Sequence, residues 1–251
     1  HHVDAKAGDS RVAWAVAVNM GLTLAQVIGG LASGSLALIA DALHNFSDAL
    51  SILIAFVARK IARRPADDRM TFGYGRAEMI AALINYTTLI VTGFYLTVEA
   101  VMRFLDPQPV TGWIVVAIAA VALAVDLVTA LLTYSMQDDS ANIRAVFLHN
   151  LADALGSVAV IVAGSLILLY DWRLVDPLVT LGIAAYILWI AFAEIGGVIR
   201  MLMLGTPPGL VAGEVLDTVR GTDGVAGLHR ARLWQLDEHH NTLDLHVVVS
   251  H

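Results

Sequence analysis

The chain has 251 residues, of which 58% are hydrophobic and 15% charged, with a formal net charge of -7 and no cysteine. So small a charged fraction argues against a soluble domain, where about a quarter of residues carry charge, and asks for lipid as solvent. The missing cysteines exclude disulfides and thiolate metal sites, so any bound metal must use His and carboxylate ligands. No basic, aromatic-rich surface points to nucleic acid.

Taken in chain order, His1 and His2 read as a tag remnant or the end of a His-rich tail, and residues 1–10 as a tail before the first apolar run. Apolar stretches near 11–32, 36–58, 78–101, 112–134, 145–170 and 175–200 each match the roughly 20 residues that a membrane-spanning helix needs. Turn chemistry separates them: Ser33-Gly34-Ser35, Asp106-Pro107-Gln108-Pro109, and Tyr170-Asp171-Trp172-Arg173. Six spans occupy 11–204, and residues 205–251 form a small α+β portion. There Val211, Val215, Leu216 and Val219 suit one face of a short helix, and Leu228–Leu236 and Thr242–Ser250 alternate like a β-hairpin around an Asp237–Asn241 turn. One helix and two strands bury little alone, so this portion reads as incomplete or reliant on a partner. The adjacent His239 and His240 read as a solvated turn.

Six of the fifteen Lys and Arg residues, Arg59, Lys60, Arg63, Arg64, Arg69 and Arg76, fall between the second and third runs. The positive-inside rule places that loop, and with six spans both termini, in the cytoplasm. The expected location is the inner (plasma) membrane.

Ionisable residues within spans are costly and mark function or buried pairs. The second run carries Asp41-Ala-Leu-His44-Asn-Phe-Ser-Asp48, and the fifth carries His149-Asn-Leu-Ala-Asp153. Each His and Asp are four apart and so share a helical face. Four N/O ligands suit tetrahedral Zn2+. Two neutral imidazoles, two carboxylates and a divalent ion sum to zero charge, which lowers the cost of burial. Metal binding to such ligands releases protons, and a free imidazole titrates near pH ~6.5. Asp41 reads as an acceptor for imidazole N–H, a proton carrier, or a structural bond to a neighbouring span. Asn45, Asn150 and Ser157 read as supporting polar residues, and Asp126 as either pathway or helix pairing.

The segments Ala40–Ala49, Phe72-Gly-Tyr-Gly-Arg-Ala-Glu78 and His149–Ser157 together resemble the cation diffusion facilitator family of metal transporters. The resemblance implies a homodimer with a ferredoxin-like cytoplasmic domain, exporting metal in exchange for protons. It matches His44, Asp48, His149 and Asp153 to the family's transport site, with the His at the first position going with zinc preference over cadmium. Co2+ and Ni2+ also suit imidazole. In the family, a loop site uses an Asp and two His; here Asp68 fits the carboxylate, but Met70 and Tyr74 stand at the His positions. His229 and His246 match part of a cytoplasmic metal site. The chain is therefore expected to be a Zn2+ carrier and not an enzyme. Competing readings are a membrane metalloenzyme, a selective channel, or a metal sensor that binds without net flux.

Overall fold

The computed structural model describes residues 5–134, 141–237 and 240–250. It is mostly helical: α1 (Ala5–Ser33), α2 (Leu36–Ala62), α3 (Ala77–Leu105), α4 (Gly112–Tyr134), α5 (Ala141–Tyr170), α6 (Val175–Leu202) and α7 (Ala212–Arg220), followed by β1 (Val225–Gln235) and β2 (Asn241–Val249). Among the described residues five helices, α2 to α6, are long and apolar enough to cross a bilayer, and α1 adds a shorter apolar stretch, Met20–Ser33. Helix α1 begins at Ala5, inside the segment expected to be a tail, because Ala-Lys-Ala is a good helix-forming run that extends the apolar helix backwards. The His1–Asp4 portion of that tail, and His239, lie outside the described residues.

Two compact units can be distinguished, residues 1–50 with 88–190, and residues 51–87 with 191–251. In the first, Ala37 and Leu38 of α2, Val115 and Ala119 of α4, and Val160 of α5 form a buried cluster. Small residues let these helices approach closely, since in lipid the packing itself drives association. A Cβ added at Gly112 of α4 would lie 2.6 Å from the Gly164 carbonyl of α5, so backbone meets backbone there.

The turn between α1 and α2 is held from several sides. Gly34 takes the left-handed conformation (φ 74°) that a side chain would strain. The Arg103 guanidinium of α3 donates to its carbonyl, and Thr111 N–H donates to the Ser33 carbonyl at 2.7 Å. Asp176, buried in the first turn of α6, accepts from Ser35 Oγ and from the backbone N–H of Leu36 (2.7 Å) and Ala37 (3.3 Å). A carboxylate from another helix thus caps the free amides at the start of α2, where the helix dipole also favours negative charge. Glu99 and Arg103 pair on α3 as an i,i+4 bridge at 3.3 Å.

In the second unit, Ser51 of α2 donates to the Asn85 side-chain oxygen of α3 at 2.5 Å. The hairpin is antiparallel and pairs His229 with His246, Arg232 with Asp244 and Leu233 with Leu243. Irregularities fall between Val225 and Gly227 and between His229 and Arg232, where Arg230 adopts φ 49°. Helix α7 packs on β1, yet no residue of α7, β1 or β2 is fully buried. The hairpin ends within three residues of the expected bounds, and His240 sits at its turn, its ring nitrogen 2.8 Å from Asp237.

Candidate metal centre

Helical spacing brings His44 and Asp48 to one face of α2, and His149 and Asp153 to one face of α5. These faces meet. His44 Nε2 lies 3.7 Å from Asp48 Oδ2 and 3.4 Å from Asp153 Oδ1; His149 Nε2 lies 3.3 Å from Asp48 Oδ2 and 3.4 Å from Asp153 Oδ2. The four side chains thus form a ring of alternating imidazole and carboxylate. His44, Asp48 and Asp153 can each offer one donor atom with all three within 4.8 Å of one another. Their side chains are largely buried, whereas His149 is half exposed and forms the open edge.

The contacts are close but are not a satisfied hydrogen-bond network. Asp48 Oδ2, Asp153 Oδ1 and His44 Nδ1 are buried and lack a hydrogen-bond partner. Buried polar atoms are normally paired. Two buried carboxylate oxygens at ion-pair range from imidazole nitrogens suit a shared cation. Ligand bonds of about 2.0–2.1 Å in a tetrahedron require donor atoms about 3.3 Å apart. The four imidazole–carboxylate separations here are 3.3–3.7 Å, with Asp153 facing His44 through one oxygen and His149 through the other.

The residues beside the ring have separate partners. Asp41, 4% exposed, accepts from Gln26 Nε2 of α1 at 2.6 Å, and Asn45 Nδ2 donates to Gln26 Oε1 at 3.0 Å. Of the readings open for Asp41, the observed bond is one to a neighbouring helix. Asp126 of α4 is buried and accepts from Ser157 Oγ of α5 at 3.1 Å, a link between helices. Asn150 is half-buried beside His149. The Tyr186 ring of α6 meets His44 edge-on at 6.2 Å. Gln26, Tyr186 and Asp176 were not singled out from sequence. A lone glutamine within an apolar run was the available signal for the first, while tyrosine and a terminal aspartate are ordinary in such helices.

Elsewhere, His229 and His246 face one another across the hairpin, but among the described residues no third His, Cys, Asp or Glu joins them or Asp68 in a compact group. Asp68 is exposed, and its neighbour Asp67 organises the loop instead. Asp67 accepts from the Tyr74 hydroxyl at 2.7 Å and from the N–H of Met70 and Arg69, both at 2.8 Å. These bonds, the Tyr74 hydroxyl first, hold the Asp67 carboxyl below the usual carboxylate range, and in turn raise the Tyr74 phenol. Arg76 Nε reaches the Leu236 carbonyl at 3.4 Å.

The chain is similar to known proteins over most of its length. Residues 12–203 match the model of the cation efflux transmembrane domain. The cadmium, cobalt and zinc/H(+)-K(+) antiporter of Bacillus subtilis is 35% identical over 92% of this chain and 75% of its own length. The zinc transporter ZitB of Pectobacterium atrosepticum is 37% identical over 95% of this chain and 75% of its length. The metal cation efflux system protein CzcD of Cupriavidus metallidurans is 32% identical over 99% and 79%. A family match across most of the chain, joined by relatives aligned through both His-x-x-x-Asp helices, places this multi-pass membrane protein in the cation efflux, or cation diffusion facilitator, family.

Proposed function

We propose that the chain exports a divalent metal cation, Zn2+ above others, through a site formed by His44, Asp48, His149 and Asp153, in exchange for protons. The observation that carries this reading is the ring of four side chains with imidazole–carboxylate separations of 3.3–3.7 Å, the compact donor group of His44, Asp48 and Asp153 within it, and the orphaned carboxylate oxygens. The relatives' names supply the direction of flux, the metals and the coupling: zinc for ZitB, and cadmium, cobalt and zinc against H+ and K+ for the Bacillus protein. Cd2+ and Co2+ are accordingly secondary substrates, with Ni2+ admitted by ligand chemistry alone. With all four positions taken by protein, the centre keeps no open coordination site for an activated water, so catalysis is not part of the reading.

In this reading, deprotonated ligands take up the ion from the cytoplasm, the helices rearrange, and protons arriving at the same groups on the far side release it. Six spans, α1 included, fill residues 11–204, after a short cytoplasmic tail at 1–10. The basic loop of residues 59–76 sets both ends of the six-span unit on the cytoplasmic side of the inner (plasma) membrane. Residues 205–251 belong to a ferredoxin-like cytoplasmic domain that pairs two copies, consistent with a hairpin that has no buried residue of its own. His229 and His246, together with Asp68, are accessory metal ligands at most in this arrangement.

The test is Zn2+ uptake into proteoliposomes under an imposed pH gradient, comparing the native chain with Asp153→Ala. Gradient-dependent uptake that disappears in the variant is expected. Uptake that survives in the variant moves the site elsewhere, and binding without flux in a well-folded native protein turns the reading into that of a sensor.

A further inference from the structure

Next to the four-residue ring, α2 is tied to α1 by a single buried side chain. Helix α2 is gripped. Gln26 of α1 is completely buried, and its single amide group uses both ends: Nε2–H donates to Asp41 Oδ2 at 2.6 Å, and Oε1 accepts from Asn45 Nδ2 at 3.0 Å. Turning the amide over would set oxygen against the Asp41 carboxylate and NH2 against NH2, so only one orientation satisfies both neighbours. Asp41 and Asn45 are four apart, one turn of α2, and they bracket His44 in sequence.

At about 100° per residue, Asp41 and Asn45 lie about 40° apart around the α2 axis, and His44 and Asp48 lie on the adjoining sector. Two holds one turn apart fix both the rotation of α2 and its axial position. A side-chain atom roughly 6 Å from the axis moves about 1 Å for a 10° rotation. That is larger than the difference between donor spacings of about 3.3 Å for 2.0–2.1 Å bonds and about 3.8 Å for 2.3 Å bonds. We infer that Gln26 is a positioning residue for the transport site, locking α2 through Asp41 and Asn45 so that His44 and Asp48 hold a spacing matched to a small divalent ion and mismatched to a larger one. It touches no ion itself. The inference rests on His44, Asp48, His149 and Asp153 being that site.

The experiment uses Gln26→Met, which keeps side-chain length and volume, with Gln26→Asn as the conservative variant that keeps an amide donor and acceptor. Zn2+ and Cd2+ affinities are measured on purified protein by chelator competition, and KM and kcat for each ion in proteoliposomes, with Asp153→Ala alongside. Loss of a partner that orients metal ligands costs roughly 10-fold or more in affinity. For Gln26→Met a rise of that size is expected in Zn2+ Kd and KM, with kcat changed less and Zn2+-over-Cd2+ preference narrowed; Gln26→Asn recovers part of both. A general loss of stability would lower active fraction without changing the ratio between ions. If Gln26→Met retains native Zn2+ affinity and discrimination while Asp153→Ala loses binding, Gln26 is only helix packing and the inference fails. If Asp153→Ala still binds, the site assignment fails instead. Should Gln26→Met not fold, Asn45→Leu removes one of the two holds; the same shift, smaller, supports the inference, and unchanged discrimination overturns it.

Discussion

Asp67 carries its charge in the open, between α2 and α3, and its three hydrogen bonds bind a short loop to itself. A carboxyl whose pKa is depressed in the folded state adds stability that is fully present above its unfolded pKa of about 3.9 and is lost as pH falls through the lower folded value. Amide exchange at Arg69 and Met70, followed by NMR, is therefore expected to stay protected down to about pH 4 and to accelerate on further acidification. Asp67→Asn should weaken protection at Arg69 and remove its pH dependence, because it replaces the charged acceptor with a neutral amide oxygen. The position was hard to read from sequence. Asp67 and Asp68 are adjacent and chemically equal, and only the turn that presents Asp67 to the backbone of residues 69 and 70 separates them. His44 and Asp48 were legible because their relation is local, fixed by one helical turn. Gln26 was not, since its partners lie 15 and 19 residues away on another helix.

Among the elements, α4 and α5 depend on glycine for their approach. At Gly112 an added Cβ would meet backbone atoms of Gly164 and Leu168 at 2.6 and 2.9 Å, neither of which can swing aside. Gly112→Ala is expected to destabilise by about 1–3 kcal/mol, as overpacking does. Gly182 in α6 has open space at the same position. Its alanine variant should be neutral or slightly stabilising by helix propensity, by at most about 1 kcal/mol. Thermal unfolding of the two in detergent gives the comparison. The helices themselves were legible from long apolar runs stopped by Gly34, Pro107 and Pro109, because length and composition alone decide what can cross a bilayer. Capping of α2 by Asp176 was not, as the two meet only in the folded bundle. The hairpin's existence could be read from alternation, but its irregularities could not, since they depend on how Arg230 bends the strand.

For the molecule as a whole, the distribution of exposed apolar side chains is the inverse of a soluble protein's. Leu24, Ile28 and Leu31 on α1, Val91, Phe94 and Val98 on α3, and Trp189 at 71% on α6 all face outwards. Surfaces of that kind are stable only against lipid or another protein. In a variant that keeps Trp189 as its sole tryptophan, fluorescence should be quenched strongly by brominated acyl chains and weakly by aqueous iodide. Strong quenching by iodide would place that face against water, and weak quenching by both would place it against protein.

The fastening of the α1–α2 turn has a mechanical result. With the start of α2 held by Asp176, the turn before it by Arg103 and Thr111, and Asp41 and Asn45 by Gln26, a swing of α2 about a fulcrum at Leu36 must first release the Gln26 amide. His44 and Asp48 stand 8 and 12 residues along the helix, about 12 and 18 Å from the fulcrum at 1.5 Å per residue. A 10° swing then carries them about 2 and 3 Å respectively. In the proposed site such a swing therefore moves the Asp48 carboxylate out of the ring by a larger distance than the His44 imidazole.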